Sequence, residues 1–171
     1  MVLLGLAVRC GSNSVDQWFQ QGRHTALARL LFFTDYRTVL LVLAGALALA
    51  LYRRRWLLAV LFTATPIVAV WLSRACKAWF GRPKEGALAY PSGHTTLMVT
   101  VLGMVLLVVG ARLWVVAAAV VWTLLGMVGQ AVTYHYFTDT VGALLLGTSL
   151  VCVAAAIVRS ARRRRFTAAS P

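Results

Sequence analysis

Long apolar runs broken by short charged stretches dominate this chain of 171 residues. A membrane-crossing helix needs about 20 mostly apolar residues, with a range of about 17–25. Five runs approach that length, at approximately 37–52, 56–79, 94–111, 113–134 and 139–158. The first is short and would borrow interfacial residues. The second contains Pro66, which a membrane helix tolerates when a hydroxyl such as Thr63 or Thr65 helps to satisfy the backbone. Residues 2–8 are apolar but too few to span; they suit the end of a shortened first helix or an interfacial anchor. Residues 15–33 mix Trp18, Phe19, Leu27, Leu30 and Leu31 with Gln, Arg and His, a pattern for a helix lying in the interface. No internal repeat, linker or second domain interrupts the pattern. The expected fold is all-α: a polytopic membrane helical bundle of five full transmembrane helices plus an N-terminal short or interfacial helix. Residues 1–36 form the N-terminal part, 37–165 the transmembrane core, and 166–171 an expected disordered tail.

Composition supports the membrane. Hydrophobic residues make up 61% of the chain and mean hydropathy is +0.81, far above a soluble domain. Seventeen basic residues face four acidic ones, for a formal charge of +13. Such an excess in a soluble protein would suggest nucleic acid. Here most Arg and Lys residues sit at the ends of apolar runs, with no basic stripe interleaved with aromatics. Membrane lipid head groups, and not nucleic acid, are therefore the expected partners. Cys10, Cys76 and Cys152 are widely spaced, with no CxxC or Cys/His metal pattern, and read as small packing residues. The start of the chain has no early basic region and no small-residue cleavage pattern, so a cleaved signal peptide is not expected.

Charge placement then suggests an orientation. With the spans as drawn, Arg53, Arg54, Arg55, Arg112, Arg159 and residues 162–165 share one face, which the excess of basic residues in cytoplasmic loops makes cytoplasmic. The other face holds Lys77, Arg82, Lys84, His94, His135 and Asp139, together with Arg9, Arg23, Arg29, Arg37 and Arg74. The expected location is the cell membrane, multi-pass, with the candidate site extracytoplasmic.

Two histidines stand at the mouths of apolar runs, where an imidazole costs free energy unless paired or wet. One ends Tyr90-Pro91-Ser92-Gly93-His94. Ser92 suits a helix N-cap and Gly93 allows close approach to backbone N–H groups. The positive end of the helix dipole then favours an anion, to which His94 can present a ring nitrogen. The plainer reading is a turn and cap followed by an incidental histidine. The other histidine opens His135-Tyr136-Phe137-Thr138-Asp139. A carboxylate at i+4 can hold one imidazole N–H and leave the other nitrogen as nucleophile or base. Asp139 also suits helix capping. Lys77, Arg82 and Lys84 could bind phosphate oxygens, or could be a solvated loop at the head groups.

Together these residues resemble the type 2 phosphatidic acid phosphatase (PAP2) family of membrane lipid phosphatases, over roughly residues 40–157. The shared order is a basic cluster, then Pro-Ser-Gly-His, then His-x3-Asp, each at a helix end. Lys77-x4-Arg82 with Gly81-Arg82 matches the family's first motif, and Lys84-Glu85 stands where Arg-Pro is usual. An alternative alignment takes Arg82-Pro83 as the Arg-Pro, two residues short of the lysine. In the third motif Val128-Gly129 stand where the family has Ser-Arg, and Gln130 is the nearest polar side chain.

The resemblance implies a metal-independent phosphoryl transfer with no cofactor. His135 would be the nucleophile, Asp139 its orienting partner and His94 the acid and base. Lys77, Arg82, Lys84, Ser92, Gly93 and Gln130 would hold the phosphoryl group. The expected substrate is a lipid phosphomonoester or diphosphate. Polyprenyl carriers come first, because the site is expected to face outward, where such carriers are recycled. Phosphatidylglycerophosphate and phosphatidic acid are alternatives. A catalytically weak binder or transporter of the same fold is a rival, motivated by the missing arginine at position 129. A proton-coupled transporter fits less well, because the ionisable residues cluster at one face. His24 reads as a surface residue, and oligomeric state is not legible.

Overall fold

The computed structural model describes residues 1–168, with side chains through residue 164. Apolar runs become helices and polar breaks become their caps. The chain opens with α1 (Val2–Val8), α2 (Ser14–Gln20), a 3-10 segment (Ala26–Thr34) and α3 (Tyr36–Tyr52). α4 (Trp56–Phe80) leads into a hairpin of β1 (Pro83–Lys84) and β2 (Ala87–Leu88). α5 (Gly93–Val109), α6 (Leu113–Thr133) and α7 (Phe137–Ala168) follow. α4 continues through Pro66, with the Thr63 hydroxyl bonded to the Ala59 carbonyl one turn back.

Four stretches are long and apolar enough to cross a membrane: Ala26–Tyr52, Trp56–Phe80, Leu113–Thr133 and Phe137–Arg164. These features fit a helical membrane bundle. The expected count of five full spans is not reached on length, because α5 has 17 residues. At about 1.5 Å per residue it is roughly 25 Å long, against a hydrocarbon layer of about 30 Å. α5 is also the helix that α3, α4, α6 and α7 all touch. It buries Met98, Val99, Val101, Met104 and Val108. A helix enclosed in this way is apolar on most sides, and its buried Thr96 and Thr100 hydroxyls donate to the Ser92 and Thr96 carbonyls one turn back.

The expected interfacial helix over residues 15–33 is two elements. An Asn13–Asp16 capping box starts α2, and turn bonds from Gly22, Arg23 and Thr25 end it. Thr25 then caps the 3-10 segment, and Asp35 caps α3. The 3-10 segment packs chiefly on α6, where Trp122 Nε1 donates to the Phe33 carbonyl at 2.9 Å. Tertiary packing against α6 therefore divides this segment, and its mixed polarity reflects α6 on one side and the surroundings on the other. α1 has seven residues, too few to span, and packs on Phe80 and Tyr90.

The two ends of the bundle differ. At one end Arg53 and Arg55 donate to the Val108 carbonyl, while Arg54, Arg55 and Arg162 line one groove of about 200 Å³. The opposite end gathers α1, α2, the hairpin and the starts of α5 and α7. Its apolar floor is Val8, Cys76, Phe80 and Tyr90. The Tyr90 hydroxyl donates to the Met1 carbonyl at 2.7 Å, and burial pushes its pKa up to about 12. The α7 helix runs through Ala168, so the tail expected to be disordered begins inside it, and residues 169–171 lie outside the described residues.

Gly142 lets α7 lie directly on the Tyr90 ring, and a Cβ there would overlap two ring carbons and the hydroxyl oxygen. Gly142→Ala should therefore lower the melting temperature in detergent, with a cost of about 1–3 kcal/mol typical of overpacking. A melting curve identical to wild type would show that the ring yields freely.

Candidate active site

The site begins where α4 ends. Gly81 adopts φ +63°, a left-handed conformation open to glycine, and turns the chain out of the helix. Arg82 follows immediately and is fully enclosed. Its Nη1 donates to Asp139 Oδ1 and Thr138 Oγ1, both at 2.6 Å. Its Nη2 donates to Asp16 Oδ2 at 2.8 Å and the Gly11 carbonyl at 2.6 Å. The expected contact of Arg82 with a phosphate thus meets a guanidinium whose terminal nitrogens are already taken. Only Nε is without a hydrogen-bond partner among the described residues. The guanidinium also stacks over the Tyr136 ring, 4.3 Å from its centre.

The hairpin positions Lys84. Its two-residue turn, Glu85-Gly86, has positive φ at both residues, the conformation that joins twisted strands tightly. Glu85, standing where the resemblance placed proline, meets Arg23 across the surface, and that hydrogen bond holds its carboxyl below the usual range. Lys84 Nζ bonds Gln20 Oε1 at 3.0 Å and lies 4.8 Å from the Tyr136 ring centre. Burial lowers the Lys84 pKa, with Glu85 opposing. Lys77, one turn before the end of α4, donates to the Leu88 carbonyl at 2.9 Å.

His135 sits in the bend between α6 and α7. Its N–H donates to the Gln130 carbonyl, and its own carbonyl accepts from Gln20 Nε2 at 3.0 Å. Its Nδ1 lies 3.5 Å from Asp139 Oδ2, within ion-pair range but longer than a hydrogen bond. Asp139 is meanwhile held by Arg82 on one oxygen and by the Tyr136 N–H, at 2.9 Å, on the other. Burial lowers the His135 pKa; the Asp139 carboxylate pulls it up, and Lys77 and Lys84 pull it down. Both expected roles of Asp139 therefore have a geometric basis, because it caps the α7 turn and backs the imidazole.

Ser92 and Gly93 start α5 as expected. Ser92 Oγ accepts from the Thr95 N–H, and the Ser92 N–H donates to the Asp139 carbonyl at 3.2 Å. The start of α5 is thereby fastened to the start of α7. His94 is exposed, and its ring is close enough to His135 and Lys77 to interact with their charges. The fold thus brings Lys77, Lys84, His94, His135 and Asp139 into one electrostatic cluster. Gln130 is not aimed there: its Nε2 donates to Thr34 Oγ1 at 2.8 Å, towards the 3-10 segment.

Position 129 has a steric explanation. A Cβ on Gly129 would lie 2.5 Å from the Leu30 carbonyl carbon and 2.6 Å from the Leu31 nitrogen. Backbone of the 3-10 segment occupies the space an arginine side chain would need.

Asp16, Gln20, Thr138 and Tyr136 are site residues that the sequence reading missed. A signal existed for Asp16, which is one of only four acidic residues in the chain and completes an Asn13-x-x-Asp16 cap. Nothing in the pattern tied α2 to α7, 122 residues away. Among the described residues no group of three or more His, Cys, Asp or Glu side chains is arranged to hold a metal ion. Comparison with family models, curated proteins and solved structures finds no match to this chain.

Gly129→Ala should lower thermal stability by about 1–3 kcal/mol, because its clash is with backbone, which cannot rotate away. Gly129→Arg should unseat the 3-10 segment altogether, exposing residues 26–34 to limited proteolysis. A fully stable, protease-resistant Gly129→Arg protein would overturn this reading.

Proposed function

We propose that this chain is an integral membrane lipid phosphatase of PAP2 type, working through a phosphohistidine. The observation that carries the proposal is His135: buried, backed by Asp139 and facing Lys77, Lys84 and His94. Those are the parts a phosphoryl transfer needs: an oriented nucleophile, cations for the oxygens and a second proton carrier. In this reading α5 acts as the fifth span, and the site lies on the extracytoplasmic face of the cell membrane.

The steps follow from the groups. With Nδ1 turned to Asp139, His135 attacks phosphorus through Nε2. A P–N bond forms as the P–O bond to the lipid breaks, and His94 donates a proton to the departing lipid oxygen. His94 then takes a proton from water, which attacks phosphorus and breaks the P–N bond, releasing phosphate. Lys77, Lys84 and the backbone N–H groups at Gly93 steady the phosphoryl oxygens, more strongly as charge develops. Arg82 supports Asp139 instead of touching the phosphate. At 3.5 Å, His135 Nδ1 and Asp139 Oδ2 need only a small closing movement to form a hydrogen bond. The substrate class is a lipid phosphomonoester or diphosphate, with polyprenyl carriers first and phosphatidylglycerophosphate or phosphatidic acid as alternatives.

A second reading, a lipid-phosphate binder of the same architecture, draws support from Arg82 being occupied and Gly129 being covered. Phosphate release from a panel of lipid phosphates by purified protein separates the two. Hydrolysis by wild type and its loss by at least about a thousandfold in a folded His135→Ala variant, removing the nucleophile, is the expected outcome. Hydrolysis that survives His135→Ala would sink the phosphohistidine mechanism. Activity should persist in chelator and be inhibited by vanadate; complete loss in chelator would count against a metal-independent reaction.

The pH profile carries a further expectation. Attack requires neutral His135, and burial lowers its pKa. The acid limb of kcat/KM should therefore fall below the ordinary histidine value of about 6.5. An acid limb above that value would contradict the assignment.

A further inference from the structure

Asp16 is a buried carboxylate with no part in the steps above. It lies on the seven-residue α2, yet its side chain is wholly enclosed. It accepts from Arg82 Nη2 at 2.8 Å, from the Thr138 N–H at 2.9 Å and from the Thr138 hydroxyl at 3.0 Å. Its capping duty accounts for much less, a 3.3 Å bond from the Asn13 N–H. Enclosing a carboxylate costs free energy unless charge and hydrogen bonds compensate. The compensation here is Arg82, which also holds Asp139.

The charges give the reason for two acids on one arginine. Arg82 contributes one positive charge, and Asp16 and Asp139 one negative charge each. The trio carries one net negative charge beside His135. Without Asp16 its sum would be zero. The other ionisable groups facing His135 are Lys77 from α4, Lys84 from the hairpin and His94 from α5, and none supplies negative charge. Of the other two acids, Glu85 is paired with Arg23 at the surface, and Asp35, the cap of α3, acts on His94.

We propose that Asp16 is a positioning residue that neutralises Arg82, so that Asp139 keeps its full charge for the His135 imidazole. Its catalytic consequence rests on the phosphatase reading: phosphorylation makes the ring cationic, and the trio's net negative charge steadies that cation. Its electrostatic content stands apart from any activity.

The test therefore reads His135 directly. Histidine-labelled protein in detergent micelles is titrated by NMR; the chain has three histidines, and His24→Gln and His94→Gln assign the signals. Asp16→Asn should lower the His135 pKa, because the trio becomes neutral. Arg82→Gln should raise it, because the trio becomes doubly negative. The double variant restores one net negative charge and should titrate close to wild type. A residue that merely held the fold would not produce this return. Should Asp16→Asn fail to fold, Arg82→Gln against the double variant decides the matter, with the lower pKa expected in the double variant. A His135 pKa unmoved by Asp16→Asn, or equal in Arg82→Gln and the double variant, would overturn the proposal. Lipid-phosphate hydrolysis is assayed in parallel. An inert wild type with the predicted titrations would remove the phosphatase reading and leave the charge balance standing. An active wild type with an unmoved His135 would do the reverse.

Discussion

One buried guanidinium ties the site end of the bundle together. Arg82 is enclosed between Asp16 from α2 and Asp139 from α7, while its backbone belongs to the turn that ends α4. Three segments remote in sequence thus meet at a single cation. Removing one partner from such an arrangement typically costs about 3–5 kcal/mol, because it strands a charge without solvent. The hairpin, the bend at His135 and the N-terminal helices all take their places around that cation. Thr138 adds a second link between Asp16 and the arginine, bonding both through one hydroxyl. An arginine whose two terminal nitrogens are both taken is a brace before it is a ligand. The nearby lysines are less committed: Lys77 and Lys84 each make one hydrogen bond, to a carbonyl and an amide oxygen.

Close packing sets the second constraint. Gly142 admits the Tyr90 ring against α7, and Gly129 admits backbone of the 3-10 segment against α6. Small residues allow helices and segments to approach closely without the hydrophobic driving force that water provides. At Gly129 the consequence is chemical as well as steric. The segment that covers this position fills the space of a long side chain, so a cation at 129 and this packing of the N-terminal segment exclude each other. Gln130, next in sequence, is drawn the same way and bonds Thr34. The positive charge at this end that is not consumed by a carboxylate then lies at the α4 end and in the hairpin, on Lys77 and Lys84.

Much was legible in the sequence because it depends on local chemistry. Apolar runs between charges located α3 through α6 and the start of α7 within a few residues, since a helix that escapes water must be apolar along its length; α7 continues to Ala168, ten residues past the end of its apolar run, through the arginines. Ser92 and Gly93 announced the start of α5 because capping acts within one turn. His135 and Asp139 could be paired because a carboxylate four residues on lies within local reach of the imidazole, although His135 stands in the bend before α7 and not on the helix. The charge clusters at alternate helix ends implied one basic end and one site end, and the bundle has both. The seven residues of α1 were visibly too few to span.

What tertiary structure decided was everything that depends on contact between remote segments. No local pattern says that Asp16 reaches Thr138, or that Gln20 bonds both Lys84 and the His135 carbonyl. Arg82 looked like a phosphate ligand because its charge is visible in sequence, while the acids that consume it come from elsewhere in the chain. Residues 15–33 looked like one interfacial helix because polarity was averaged along them, whereas Gly22, Thr25 and the face of α6 divide them. Sequence by itself determined which segments are long and apolar and which ionisable residues stand at their ends, because hydrophobicity and capping act residue by residue. Only the folded bundle decided which charges remain free, because that depends on which distant partner reaches each one first.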